Sequence, residues 1–337
     1  MIYSDLKKVE RLRHTFDLNY RVTQLYALYL ERFPELITAD MIDELCSDGK
    51  ISKAEAVTAI LCEAFGLDDG AGGDERRIIR DYIRPSVRLL DSKRYTENKY
   101  YKNINIENVK DGRWELKKEF YEPYRAVIAG DMIIKPDFSE IPPLGFFTEK
   151  FSFPAVLEDG NEWMTLTPVD LDTCDSAIDE AFGNVITFGL GLGYYAYMVS
   201  EKDTVESITV IEKSDTVIGL FEKYILPQFS HPEKVKIISA DAFEYAEREM
   251  PKRHYDYAFV DTWRDASDGA PMYERMKPYE KLNPNTKFSY WIENFLISRQ
   301  RAIRFEELYE KVKRGDADAP ANYNEFIERL EDYGRNI

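Results

Sequence analysis

The segment Val185-Ile186-Thr187-Phe188-Gly189-Leu190-Gly191-Leu192-Gly193 constrains the fold of this chain more than any other. An apolar run enters a turn with three alternating glycines and passes into a helix-like stretch. A second apolar run, Ile208-Thr209-Val210-Ile211, then ends on Glu212. Strand, glycine turn, helix, strand and acid, in that order, is the layout by which an open α/β sheet holds a nucleoside at the carboxyl ends of its strands. Glycine removes the Cβ that would keep a ligand off the backbone. An ionised carboxylate accepts both ribose hydroxyls in charge-assisted hydrogen bonds.

The alternation continues downstream. Strands are expected near 184–188, 207–212, 234–239, 256–261 and 286–292, with turn residues or helical spacers between them, which argues for a parallel doubly wound sheet. Four candidate features then fall at four consecutive strand ends: the loop Gly189-Leu190-Gly191-Leu192-Gly193; Glu212 followed by Lys213; Asp241 followed by Ala242; and Asp261-Thr262-Trp263. Ligands of such sheets lie outside the carboxyl ends. A nicotinamide dinucleotide fits poorly, because the sixth position of its G-x-G-x-x-G loop is Tyr194, whose ring obstructs close helix–strand packing.

Residues 1–135 are expected to form a helical domain. Leu18, Val22, Leu25, Tyr26 and Tyr29 recur at helix spacing. Thr38 suits an N-cap, and Ser52 with Glu55 forms a capping-box pattern. Gly70-Ala71-Gly72-Gly73 reads as a joint, and Pro85 as a helix break. Residues 136–169 form a proline-punctuated connector. In it Phe151–Leu157 and Glu162–Thr167 flank Asp159-Gly160, a β-hairpin signature. Residues 170–337 comprise the sheet domain and a charged helical tail. Arg76, Arg80, Arg84 and Arg88 form a basic stripe: either an anion site or a solvated face paired with Asp74, Asp81 and Asp91.

With 45 basic against 62 acidic residues the net charge is −17, which disfavours nucleic acid or an anionic membrane as partner. No apolar stretch approaches the ~20 residues of a membrane span. The amino terminus lacks the apolar core of a signal peptide. Cys46, Cys62 and Cys174, like His14, His231 and His254, are dispersed, so no metal site is expected. The expectation is a reduced cytoplasmic protein, with a homo-oligomer left open.

The four strand-end features resemble the class I S-adenosylmethionine-dependent methyltransferases, over roughly residues 168–292. The resemblance implies a Rossmann-like methyltransferase sheet and S-adenosyl-L-methionine as cofactor. Gly189, Leu190, Gly191 and Gly193 would pass its methionine arm, and Glu212, next to Lys213, would bind the ribose. Asp241 and the Ala242 N–H would meet the adenine. Asp261 would face the sulfonium or act as the catalytic base. From the residues themselves, Tyr194, Tyr195 and Trp263 read either as pocket walls facing a cation or, the commoner role of such rings, as core packing. The implied activity is methyl transfer to a small-molecule acceptor. Thr187 stands where the family has an acid, and the Asn/Asp-Pro-Pro-aromatic signature of amino methylases is missing. The hairpin and Asp261-Thr262 also resemble the spermidine synthase branch, which transfers aminopropyl groups. A non-catalytic nucleoside-binding module is the third reading.

Overall fold

The computed structural model describes residues 1–70, 72–106 and 109–332. They group into two compact units whose segments alternate along the chain. One contains Met1–Leu90, Glu122–Glu149 and Asn294–Ile337; the other contains Asp91–Tyr121 and Lys150–Glu293. This differs from consecutive blocks at 1–135, 136–169 and 170–337, since the tail joins the amino-terminal residues. Among the described residues, no helix is long and apolar enough to cross a membrane.

The first unit is built on the helix Tyr3–Arg32. Its Val9, Leu12 and Phe16 pack with Phe305, Leu308, Phe326 and Leu330 from the carboxyl-terminal helices. One turn on, Leu18, Val22, Tyr26 and Tyr29 join a second cluster with Ile42, Val57 and Leu61. Thr38 and Ser52 cap the two short helices as expected, Ser52 through a complete capping box. At Pro85 the chain passes from the helix Gly73–Ile78 through a π turn, Ile79–Ile83. A proline lacks the N–H for a regular helical bond, and the wider turn absorbs that loss.

The arginine stripe is largely neutralised within this unit. Arg76 and Arg84 pair with Asp69, and Arg77 and Arg80 pair with Asp81. Asp74 instead meets His14, and Asp91 caps the helix Ser92–Thr96. Ala71 of the glycine-rich joint lies outside the described residues. Residues 1–135, expected to form a mostly helical domain, also hold strands after residue 86, beside the short helices Ser92–Thr96 and Lys99–Asn103. Val87–Leu90, Ala126–Ile128 and Leu144–Phe147 form a three-stranded sheet. Such short runs show no period of their own and are fixed by distant pairing partners.

In the second unit the expected hairpin forms. Phe151–Glu158 and Asn161–Thr165 pair antiparallel. Asp159 and Gly160, at φ 50° and 81°, make the left-handed two-residue turn that suits the twist of a hairpin. The hairpin is half of a four-stranded sheet completed by Val109–Asp111 and Trp114–Tyr121, so it is no separate connector.

The five expected parallel strands are all present: β1 (Gly183–Phe188), β2 (Val205–Glu212), β3 (Val235–Ser239), β4 (Tyr257–Val260) and β5 (Lys287–Tyr290). Their order is β3-β2-β1-β4-β5 and every pairing is parallel. Helices α1 (Pro168–Glu180), α2 (Tyr194–Ser200), α3 (Asp215–Tyr224) and α4 (Ala242–Arg248) alternate with the strands. Val185, Ile186, Ile208, Val210 and Ala258 are fully buried, as befits strands covered on both faces. This is a doubly wound, Rossmann-like α/β sheet whose strand order reverses between β1 and β4.

Candidate functional site

The reversal between β1 and β4 opens a crevice where such sheets bind ligands. The two strands separate there from close contact. The Asp261 N–H bonds to the Phe188 carbonyl at 2.8 Å. A Cβ on Gly189, at φ 99°, would run into the Asp261 carbonyl oxygen. Gly193, at φ 74°, is the N-cap of α2, and a Cβ there would strike the Phe221 ring. Leu190 between them is buried.

At the end of β2, the Glu212 carboxylate accepts the Leu190 N–H at 3.3 Å and the Ser214 N–H at 2.8 Å. The acid and the glycine loop are therefore brought together. Each carboxylate oxygen holds two acceptor sites, so capacity for a diol remains. Lys213 beside it is exposed. At the end of β3, Asp241 caps α4: one of its oxygens accepts the Phe243 and Glu244 N–H groups, each at 3.0 Å. Capping leaves the second oxygen open, and Ala242 is buried in the first turn.

A small cavity of about 30 Å³ lies at the switch point. Its lining includes Thr187, Gly189, Leu190, Tyr194, Tyr195 and Asp261, together with Met164, Asp170, Cys174 and Trp291. Tyr194 and Tyr195 thus take the expected wall positions. Trp263 takes the packing role instead: it is buried and stacks 6.5 Å from Tyr290, while Trp291 lines the cavity. Thr187 is buried, its hydroxyl 3.4 Å from the Gly189 carbonyl.

Asp170 is the site residue that sequence reasoning missed. It is the third helical residue of α1, and its carboxylate accepts the Thr167 N–H and hydroxyl at 2.7 and 2.8 Å. The Thr-Pro-Val-Asp signature of a helix start was readable, but its proximity to Asp261 was not. Burial pushes the Asp170 carboxyl up to about 6, against the pull of the Thr167 donors. Burial pushes Asp261 further, to about 8, with the Asp170 charge adding to it. Among the described residues no donor reaches the Asp261 carboxylate. Among the described residues, no lysine, arginine or histidine lines this cavity. Burial also raises the Cys174 thiol well above its usual range, which makes it a poor nucleophile.

The bare backbone of Gly191, at φ 53°, is covered. The Met164 thioether, Sδ and terminal methyl, rests where a Gly191 Cβ would stand, with Sδ at 2.5 Å. The polar groups suit an S-adenosyl cofactor: free acceptor capacity at Glu212 and Asp241, and a loop only glycine can form. The volume does not suit it while Met164 lies there, since ligand pockets run to hundreds of Å³. The obstruction is the far end of one flexible side chain. Among the described residues no cluster of three potential metal ligands exists.

No protein-family model matches this sequence, and no curated protein sequence matches it. Among solved structures, the chain is similar to a spermidine synthase crystallised with the transition state analogue AdoDATO. The two are 17% identical, with a TM-score of 0.33, over 59% of this chain and 63% of that one. It is also similar to the spermidine synthase of Thermotoga maritima, at 15% identity and a TM-score of 0.31, over 59% and 72% of the two chains. The chain thus spans less than two thirds of the length of the first.

Proposed function

We propose that the parallel-sheet unit is a transferase that binds an S-adenosyl nucleoside and passes an alkyl group from its sulfonium to an amine. One observation carries this reading: Asp170 and Asp261 share a cation-free cavity at the strand-order reversal, against the glycine loop. Glu212 would hold the ribose and Asp241 the adenine amino group. The bound cofactor would supply a carbon made electrophilic by the adjacent sulfonium. Asp261, with its carboxyl near pH 8, is matched to taking the proton the amine loses as its N–C bond forms. The C–S electron pair stays on sulfur, and Asp170 orients the cation.

The cavity chemistry favours aminopropyl transfer from a decarboxylated cofactor. A full methionine arm carries a carboxylate, which two acids and no base would repel. An arm ending in an ammonium alone meets attraction. Methyl transfer to the same acceptor is the second reading, supported by the small size of the cavity. Calorimetric titration with S-adenosylmethionine, its decarboxylated form and adenosine tests binding. Mass spectrometry after incubation with a set of diamines tests turnover: 5′-methylthioadenosine reports aminopropyl transfer, S-adenosylhomocysteine methyl transfer. Nucleoside binding without either product would leave the chain a binding module, and no binding by any of the three would end the proposal.

A further inference from the structure

Successive residues of a regular strand face opposite sides of a sheet. Trp163 and Met164 break that rule. Met164 pairs with Val156 and Glu162 with Leu157, so the register shifts between them and Trp163 is an extra, unpaired residue. Such a β-bulge re-aims side chains and is common beside active sites. Here it turns both residues toward the glycine loop. Trp163 lines an apolar hollow with Trp114, Gly191 and Phe221, the two indoles 5.5 Å apart and edge to face. Met164 lies over Gly191 itself and lines the acidic cavity. Leu192 borders both spaces, and the Met164 thioether lies over Gly191 at the bend beside it.

From this arrangement we infer that Met164 closes the glycine bend and determines which sulfur-linked arms can enter it. The selecting role rests on the nucleoside reading above; the closing role rests on the bulge and the Gly191 contact alone. Methionine suits the task, being unbranched, flexible and polarizable. A nucleoside with no arm beyond its ribose leaves Met164 in place. A nucleoside with an arm displaces it, and its apparent affinity falls by the fraction of molecules in which the bend is open. A shorter residue removes that penalty for every arm and so loses selectivity.

The test compares wild type, Met164→Ala and the volume-conserving Met164→Leu, each checked for native circular dichroism. The first readout needs no nucleoside. Cys174 lines this cavity and is 4% exposed, so its modification by methyl methanethiosulfonate, resolved from Cys46 and Cys62 by peptide mass spectrometry, reports opening. Labelling of Cys174 is expected to speed up about tenfold in Met164→Ala, for a bend open about a tenth of the time, and to change little in Met164→Leu. An unchanged rate in Met164→Ala overturns the proposal. The second readout is calorimetry with adenosine against decarboxylated S-adenosylmethionine. Met164→Ala should tighten the arm-bearing ligand about tenfold and leave adenosine unaffected; an equal change in both removes the selecting role. Faster labelling with no nucleoside bound by any variant would sink the nucleoside reading alone, and Met164 would stand as the closure of the cavity.

Discussion

Asp261 lines the same cavity as Asp170, although β1, β2, β3 and β4 all lie between the two in sequence. Asp170 is tied to Thr167, whereas Asp261 has no donor among the described residues. A half-buried acid without a donor, set beside another acid, works against folding. Such arrangements are typical of sites shaped for a ligand's charge.

That strain has a measurable sign. The Asp261 carboxyl rises from its ordinary 3.8 to about 8 on folding. Between those values the folded protein holds more protons than the unfolded chain, so this group's contribution to stability falls as pH climbs through that window. Asp261→Asn should therefore be the more stable protein at pH 8–9, by on the order of a few kcal/mol, with the gap closing toward pH 4. Urea unfolding of both proteins across pH measures it. A wild type that is equally stable relative to the variant at both ends would contradict the assignment.

Binding of an alkylammonium should show the opposite slope. A cation is held by the ionised acids, which form as pH rises past about 6 for Asp170 and about 8 for Asp261. Alkylammonium groups stay charged until roughly pH 10. Affinity for a diamine is expected to increase from pH 6 to 8, with proton release on binding. Calorimetry in buffers of different ionisation enthalpy counts those protons, and a pH-independent affinity would place the amine elsewhere.

Glu212→Ala should weaken adenosine binding by about 1.5–3 kcal/mol, the scale of hydrogen bonds to a charged group. It also strips acceptors from the Leu190 and Ser214 N–H groups. Glu212→Gln keeps one acceptor oxygen and should lose less. Identical affinities for wild type and both variants would take Glu212 out of the site.

The glycines should differ in what they tolerate. Gly189→Ala forces a Cβ into a backbone carbonyl at φ 99°, and a loss of about 3 kcal/mol or more follows from left-handed strain plus overpacking. Gly191→Ala meets only the movable end of Met164, so its cost should stay near the ~1–2 kcal/mol of the backbone conformation. Denaturant unfolding ranks them; the reverse order would mean that the loop backbone, and not the Met164 chain, yields.

Much of the parallel sheet was legible because its signals are local. Strands covered on both faces are largely apolar, as Val185–Phe188 with its single Thr187 and Tyr257–Val260 are. The three glycines announce backbone angles that other residues avoid, and all three have positive φ. Asp241 at the head of a helix announces a cap. The short strands at 87–90 and 126–128 carried no such mark, so they read as continuations of the helices before them.

By itself the sequence determined where chain direction changes and which positions are buried, since periodicity, capping and glycine act over a few residues. Tertiary structure alone decided that Asp170 meets Asp261, that Met164 lies over Gly191 and that residues 294–332 join the amino-terminal unit. Each is an encounter between segments far apart in the chain. Such encounters depend on the register of a hairpin and the crossing order of strands, which no single stretch of residues encodes.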